Sequence, residues 1–108
     1  MAELKTSLGQ ITLPTPVLPA SGTFGYGLEA PDYVDIERFG GMITKSLTRH
    51  PREGNPPPRI TETASGMINS IGLANIGVEA FIQEKLPVLQ EKEIILIVNI
   101  AGSTLDEY

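Results

Sequence analysis

The sequence predicts an α/β protein with a parallel sheet, and three observations indicate this class. Residues 94–98 are five consecutive apolar residues, four of them β-branched, which is typical of a parallel strand buried on both faces. Strand-like and helix-like segments alternate along the chain. Polar side chains directly follow three strand-like runs, at Ser21, Lys45 and Asn99. Because (β/α)8 barrels build their sites at the carboxyl ends of their strands, the pattern favours such a barrel.

The length of the chain limits how much of a barrel it can contain. A (β/α)8 barrel takes roughly 250 residues, whereas the sequence has 108. We therefore predict the amino-terminal three βα units of a (β/α)8 TIM barrel, with residues 1–108 as the first part of a single, incomplete domain. A short β-hairpin precedes these units, and an inserted hairpin loop follows the second strand.

The leading hairpin and the first barrel strand come from the first twenty residues. Residues 4–13 alternate between apolar and polar side chains around Gly9, which predicts a β-hairpin with glycine at its turn. Residues 17–20 are a short apolar run and predict the first parallel strand, although Pro19 removes one ladder donor.

The next segments supply a helix, a strand and the insertion. Residues 31–39 predict a helix, with Pro31 at its first position and two glycines after its end. Residues 42–44 predict the second strand. Residues 47–58 include three consecutive prolines and predict a stiff, irregular excursion. Residues 59–68 predict a small hairpin carried on this excursion.

A second helix is predicted after Asn75, which is its expected cap. Its apolar residues recur at helical spacing: Val78, Phe81, Ile82, Leu86 and Leu89. Pro87 is predicted to end or kink this helix, because it lacks an N–H group and crowds the preceding turn. After the strand at residues 94–98, Thr104 is predicted to cap a further helix whose first turn is acidic.

Composition excludes several classes of function. The 13 acidic and 8 basic residues give a net charge of −5, which argues against binding to nucleic acid or to an anionic membrane. No apolar run approaches the roughly 20 residues that span a bilayer, and residues 1–5 lack the apolar core of a signal peptide, so we expect a cytoplasmic protein. With no cysteine and one histidine, no metal site is predicted.

Residues 69–75 have the chemical character of a recognition loop. Two asparagines supply donors and acceptors, and Gly72 exposes its backbone, so the loop can bind a flat, polar, planar ligand. The alternative is an ordinary asparagine and glycine turn that leads into a helix.

Two further stretches offer polar groups at predicted strand ends. Residues 21–27 contain three glycines, and the Ser21 hydroxyl and Gly22 N–H could bind a phosphate or the edge of a cofactor ring. The spacing matches neither the dinucleotide fingerprint nor a P-loop, and a flexible surface loop is the alternative. Lys45 after a buried strand could meet an anion, although most lysines are solvated. We interpret His50, in a polar loop, as a solvated side chain.

Several of these stretches, in this order, resemble the opening third of dihydroorotate dehydrogenases. The matching stretches are residues 20–27, Lys45 with Ser46, residues 54–59, residues 69–73 with Asn75, and Asn99 after Val98. The resemblance covers the whole chain and is strongest to class 1B catalytic subunits, which use NAD as terminal acceptor; class 1A enzymes are similar in this region.

The resemblance implies a function and a role for each matching residue. Members of the family bind FMN on the carboxyl face of the barrel and oxidise dihydroorotate to orotate in pyrimidine biosynthesis. The implied FMN-binding residues are Ala20, Ser21, Lys45, Ser46 and Asn99. The implied substrate-binding residues are Lys45, Asn69, Ser70, Ile71, Gly72 and Leu73. Lys45 thus contacts both flavin and substrate and supports catalysis.

The resemblance also implies parts that lie outside this sequence. In this class the base that removes the C5 proton is a cysteine on a later loop, and this chain has no cysteine. We therefore expect the 108 residues alone to be inactive. The implied partner is an electron-transfer subunit that carries FAD and a 2Fe–2S cluster, joined to a homodimer of catalytic subunits in a heterotetramer.

Two alternative functions remain open at this point. A related FMN barrel, such as the pyrimidine-reducing domain of dihydropyrimidine dehydrogenase, shares the asparagine loop and the lysine pattern. A non-catalytic, acidic interaction module would make Lys45, Asn69 and Asn99 incidental surface residues and would bind no flavin.

Overall fold

The computed structural model describes residues 3–108. Its six short strands are β1 (Thr6–Leu8), β2 (Ile11–Leu13), β3 (Met42–Ile43), β4 (Ile60–Thr63), β5 (Gly66–Asn69) and β6 (Leu96–Ile97). They form three separate pairs: β1 with β2 and β4 with β5 are antiparallel, whereas β3 with β6 is parallel. The parallel pair joins residues more than fifty positions apart, and it carries the cleft described below.

The leading hairpin lies where alternation in residues 4–13 predicts it. Leu8 on β1 faces Ile11 on β2, and Gly9 takes a φ of +59° at the turn between them. Glycine adopts this left-handed conformation without steric cost, which explains the position of the turn. Leu13 is buried, whereas Leu8 and Ile11 remain exposed.

The predicted first strand at residues 17–20 is wrong, because these residues form no regular strand in the structure. Pro16 and Pro19 flank and interrupt the run, and neither can donate to a ladder. The segment makes one strand-like contact: the Gly40 N–H donates to the Val17 carbonyl at 2.8 Å.

The predicted helix at residues 31–39 is also wrong in extent. Only Ile36–Arg38 is helical, as a single 3-10 turn. Asp35 stops the helix from forming earlier: its backbone is extended, and its carboxylate accepts a hydrogen bond from the Glu37 N–H at 3.1 Å. Aspartate favours such caps over helix interiors. The segment still buries Ile36 against the core.

The second helix begins at Val78 and continues to Gln90 in three consecutive parts. These are the α-helical turn α1 (Val78–Ala80), a π-helical stretch (Phe81–Lys85) and α2 (Leu86–Gln90). Pro87 does not end the helix, which continues to Gln90: the proline occupies the first turn of α2, where its missing N–H costs least. The wider π turn precedes it and absorbs the change in hydrogen bonding.

Two details of the predicted second helix are wrong. Gly77, and not Asn75, is the residue before its first turn, and the Asn75 side chain accepts from the Gly77 N–H and not from an N–H inside the helix. Among the apolar residues assigned to one face, Phe81 and Leu89 are buried, whereas Val78 and Ile82 are exposed. The π-helical turn changes the angular spacing, so a regular 3.6-residue pattern no longer holds across it.

The end of the chain departs from its predicted pattern. Regular pairing in the run at residues 94–98 is limited to β6, and Val98 is 41% exposed, so the strand is not buried on both faces. Within residues 3–108, β6 pairs with β3 alone, which leaves its other edge without a partner strand. Thr104 does not cap through its side chain, and Leu105–Glu107 forms only a 3-10 turn.

The core lies between the second helix and the chain around the parallel pair. Its buried members are Tyr26, Ile36, Leu47, Phe81 and Leu89. The rings of Tyr26 and Phe81 pack 5.7 Å apart between centroids. The Tyr26 hydroxyl accepts a hydrogen bond from the Ile76 N–H at 3.2 Å, so the glycine-rich loop is tied to the start of the second helix.

The ionisation of Tyr26 therefore affects the stability of this core. Burial raises the pKa of the Tyr26 phenol, as does the nearby Glu29, although the Ile76 N–H lowers it. Because the pKa of Tyr26 is higher in the folded state than in the unfolded state, the neutral phenol stabilises the fold fully below the unfolded pKa of about 10. This stabilisation is lost as the pH rises through the folded pKa.

We expect Tyr26→Phe in the full-length protein to lower the free energy of unfolding at pH 7 by about 1–3 kcal/mol, since the Ile76 N–H is left without a partner. The difference from wild type should shrink above about pH 10. Tyr33→Phe is the matched control, because Tyr33 is 88% exposed. Thermal melts from pH 7 to pH 11 measure both, and equal melting temperatures for Tyr26→Phe and wild type would contradict the expectation.

The described residues include no helix with the length and apolar character needed to cross a bilayer.

The radius of gyration of the described residues is 15.8 Å, larger than the roughly 13 Å expected for a closed domain of this size.

Candidate functional site

An open cleft of about 380 Å3 brings together three stretches that are distant in the sequence. Its lining residues are Ser21, Gly22, Thr23, Lys45, Ser46, Asn69, Ile71 and Leu73. The first three come from the glycine-rich loop, the next two follow β3, and the last three belong to the segment from the end of β5. All three stretches contribute polar lining residues, and Ile71 and Leu73 are the large apolar ones.

Lys45 and Ser46 reach the cleft together because of a bulge after β3. Ile43 pairs with Ile97, and the next paired residues are Leu47 and Ile100. Ile43 and Leu47 are four positions apart, whereas Ile97 and Ile100 are only three positions apart. One extra residue is thus accommodated on the β3 side. Adjacent side chains of a regular strand point to opposite faces. A bulge changes this alternation and re-aims side chains, so that both residues can face one cleft.

The bulge is held by bonds to other segments. The Lys45 N–H donates to the Gly25 carbonyl at 2.8 Å, and the Leu47 N–H returns to the Asn99 carbonyl at 2.9 Å. Lys45 is half-buried. In the part of the chain that the structure describes, the single ion pair joins Lys85 to Glu29, so no carboxylate there neutralises Lys45. Its ammonium is the one cationic group among the residues that line the cleft.

Asn99 sits behind the cleft and contacts Ser21. Its side-chain Nδ2 lies 3.4 Å from the Ser21 hydroxyl. Its backbone N–H donates at 3.1 Å to the hydroxyl of Thr44, a residue that is completely buried. The Thr44 hydroxyl thus accepts the hydrogen bond that a backbone carbonyl would accept in a regular ladder, at the point where the bulge begins. The result is that the ends of β3 and β6 and the glycine-rich loop are connected.

Asn55 supports the loop at residues 69–73 from outside. Its backbone N–H donates to the Ile71 carbonyl at 3.0 Å, and its Nδ2 donates to the Ser70 hydroxyl at 2.8 Å. Two glycines make this close approach possible. A Cβ on Gly54 would overlap the Ile71 carbonyl oxygen, and one on Gly72 would lie 2.7 Å from the Asn55 nitrogen. The proline-rich excursion is therefore a support for the loop.

The backbone of the same loop takes an uncommon conformation. Gly72 has a φ of +77° and Leu73 a φ of +58°, and Leu73 is the one residue other than glycine with positive φ in residues 3–108. Branched side chains rarely adopt this region. Within those residues, the N–H groups of Gly72 and Leu73 donate no hydrogen bond. Two backbone donors at the rim of the cleft are thus available to a ligand.

The structure gathers most, but not all, of the residues that the sequence singles out. Ser21, Lys45, Ser46, Asn69, Ile71 and Leu73 line the cleft. The remaining ones are not among the lining residues, namely Ala20, Ser70, Gly72 and Asn99. Ser70 turns toward Asn55, and Asn99 reaches the cleft only through Ser21.

Sequence reasoning missed Thr23 and Thr44. Thr23 lines the cleft from the same loop as Ser21, and its hydroxyl in a glycine-rich loop was a usable signal. Thr44 lies at the end of a short strand, where a buried hydroxyl can substitute for a carbonyl, but the sequence carries no sign of its bond to Asn99. His50 is exposed, in agreement with its interpretation as a solvated residue. The described residues contain no cluster of three or more potential metal ligands.

Comparison with known proteins decides the family. The family model for dihydroorotate dehydrogenase matches residues 3–108. The chain belongs to the dihydroorotate dehydrogenase family. The catalytic subunit of dihydroorotate dehydrogenase B (NAD(+)) from Thermodesulfovibrio yellowstonii is 55% identical over 108 residues, and the subunit of the same name from Bacteroides thetaiotaomicron is 47% identical over 108 residues. The chain covers 36% of the length of each of these relatives.

A solved structure of the family agrees with this membership. DHODH from Eimeria tenella, in complex with ferulenol, superimposes with a TM-score of 0.65 at 28% sequence identity, over 93% of this chain and 29% of that one. The resemblance that the sequence motifs suggest is therefore confirmed, as is the mixed α/β class.

Proposed function

We propose that this protein is the catalytic subunit of an NAD-dependent dihydroorotate dehydrogenase, which oxidises (S)-dihydroorotate to orotate in pyrimidine biosynthesis. The observation that carries the proposal is the cleft in which Lys45 lies between the glycine-rich loop and the loop that begins at Asn69. The chain covers about a third of the relatives' length, so the activity belongs to the full-length protein.

The chemistry of the cleft fits FMN as the cofactor. A flavin ring presents carbonyl oxygens and ring nitrogens along one edge, and these require donors. The Ser21 and Ser46 hydroxyls and the Lys45 ammonium supply them, and the Asn99 amide completes the flavin side by bonding the Ser21 hydroxyl. Gly22 has a φ of +76° and open space where a Cβ would be, so a flat ring can approach its backbone. FMN, when bound, accepts the hydride that leaves dihydroorotate.

Lys45 would then be the principal electrostatic group of this chain. Its ammonium is half-buried and has no ion-pair partner among residues 3–108, so it is available for the negative charge that accompanies flavin reduction. A fixed cation at that edge stabilises the reduced form and requires little reorganisation. The backbone bond from Lys45 to Gly25 keeps the base of the side chain in place.

The substrate would lie against the loop that begins at Asn69. Dihydroorotate is a small ring with amide and carboxylate groups at its edge, which match the Asn69 amide and the free N–H groups of Gly72 and Leu73. Ser70 and Ile71 belong to the same loop, and Ile71 supplies an apolar face for the ring. We assign Ala20 to the flavin side on its position before Ser21.

The remaining parts of the proposal concern the full-length protein. We propose that residues 1–108 form the first part of a single FMN-binding TIM barrel, and that a cysteine outside this sequence is the base. The names of the relatives specify NAD(+) and a catalytic subunit. We accordingly propose an electron-transfer subunit with FAD and a 2Fe–2S cluster, in a heterotetramer built on a homodimer of catalytic subunits. A cytoplasmic location accompanies this assembly.

Expression of the full-length protein tests the proposed function. We expect the purified protein to carry FMN and to be reduced by dihydroorotate, with orotate as product. Asn69→Ala should raise the KM for dihydroorotate at least tenfold and leave FMN content unchanged, since the amide contacts substrate and not flavin. Reduction by dihydropyrimidines but not by dihydroorotate would favour the related pyrimidine-reducing barrel. A protein that binds no flavin would favour the interaction module.

A further inference from the structure

Asn75 is a buried amide whose side chain makes hydrogen bonds to Thr48, Leu73 and Gly77. It is 8% exposed. Its Oδ1 accepts from the N–H groups of Thr48, at 3.1 Å, and Gly77, at 2.9 Å. Its Nδ2 donates to the Thr48 hydroxyl at 3.0 Å and to the Leu73 carbonyl at 2.9 Å. No buried side-chain nitrogen or oxygen in residues 3–108 is without a partner, so the network around Asn75 is complete.

These bonds connect two of the segments that contribute residues to the cleft. Thr48 comes two residues after Ser46, on the segment that follows β3, and Leu73 is the last residue of the loop that begins at Asn69. The Asn75 backbone also exchanges two hydrogen bonds of 2.9 Å with Arg52. Asn75 is therefore fixed in position before it reaches Leu73, and the Leu73 carbonyl bonds to a rigid group.

The bond to Leu73 acts on the strained part of the loop. Leu73 has a φ of +58°, a conformation that a branched L-residue adopts only when surrounding contacts hold it. The Asn75 Nδ2 provides such a contact from two residues away. If the bond is lost, Leu73 can relax toward negative φ, and the adjoining peptide groups, including the free N–H groups at the rim, rotate with it.

We infer that Asn75 is a positioning residue for the substrate: it holds Leu73 in the left-handed conformation and so aims the backbone donors of the loop at the pyrimidine ring. This inference rests on the proposed function. Asn75 is not among the lining residues of the cleft, so it acts through Leu73. An amide is needed, because one end must accept from two N–H groups while the other end donates.

Asn75→Asp in the full-length, FMN-loaded protein tests the inference. The carboxylate keeps the shape and the acceptor bonds but cannot donate to Leu73 or to Thr48. We expect the Kd for orotate, measured by calorimetry, to rise at least tenfold, and the KM for dihydroorotate to rise with it while kcat changes less than threefold. The Kd for FMN should stay within twofold of wild type. Gln90→Glu makes the same amide-to-carboxylate change at an exposed position and should leave all these values unaltered.

The outcomes separate the inference from the function on which it rests. Wild-type protein that fails to bind orotate overturns both. Wild-type binding together with an unchanged orotate Kd in Asn75→Asp overturns the inference alone, as does an equal loss of orotate and FMN affinity. If Asn75→Asp does not fold, Thr48→Val replaces it, because the valine removes the hydroxyl that bonds Asn75. A roughly threefold weaker orotate Kd with unchanged FMN binding supports the inference, and an unchanged orotate Kd overturns it.

Discussion

Lys45→Ala is expected to lower the turnover of the full-length enzyme by about 10²-fold or more, which is the scale of losing one preorganised stabilising group. The reduction potential of bound FMN should fall in the same variant, because the ammonium stabilises the reduced flavin more than the oxidised one. Stopped-flow reduction by dihydroorotate and a spectroelectrochemical titration measure the two effects. The melting temperature should change little, since Lys45 is half-buried and makes no ion pair within residues 3–108.

Lys5→Ala is the matched control for this experiment. Lys5 is exposed on the segment before β1 and does not line the cleft, so its removal alters the net charge by the same amount without touching the site. Its turnover and flavin potential should equal those of wild type. Near-normal kinetics in Lys45→Ala would remove Lys45 from the mechanism.

Gly54→Ala is expected to damage substrate binding from outside the cleft. The new Cβ would overlap the Ile71 carbonyl oxygen and approach the Ala74 Cβ to 2.9 Å, so the loop at residues 69–73 must shift. A shift of this kind misplaces contacts that depend on orientation. We expect the KM for dihydroorotate to rise at least tenfold, with smaller changes in flavin content. Steady-state kinetics and an FMN titration measure both.

Gly9→Ala separates backbone strain from steric overlap. Gly9 and Gly54 have φ values of +59° and +80°, so alanine is strained at either position, but an added Cβ on Gly9 meets nothing within 4 Å. Gly9→Ala should therefore lower the melting temperature modestly and leave the KM unchanged. A similar KM for Gly54→Ala and wild type would show that the loop does not depend on its support.

The polar residues of the cleft were predictable because their positions depend on local pattern. Ser21 follows an apolar run and opens a glycine-rich loop, and Lys45 follows β3. The carboxyl ends of the parallel strands β3 and β6 lie at one edge, which explains the positions of Lys45 and Asn99. Ser21 lies near them although the run before it forms no regular strand. Asn69 was predictable for a different reason, since its loop combines amides with a glycine and lies between a polar region and a helix.

The regular elements were less predictable, and each error has a local cause. Residues 17–20 have the apolar content of a strand, but their prolines prevent a ladder from forming. Asp35 has an extended backbone and caps the turn at Ile36–Arg38, so the predicted helix is limited to that turn. The π-helical turn at Phe81–Lys85 rotates the apolar face, so that Ile82 points outward although its spacing fits a buried position.

By itself the sequence determined the α/β class, the family resemblance and the identity of most cleft residues, because those depend on residue type and order along the chain. Only the tertiary structure decided how the residues are aimed. The bulge that brings Lys45 and Ser46 to one cleft is defined by the pairing of two distant segments, one of which has an extra residue. The left-handed Leu73 accepts a hydrogen bond from Asn75, which in turn bonds Thr48, 27 residues earlier. Such bonds form only when distant segments pack, so no local pattern records them.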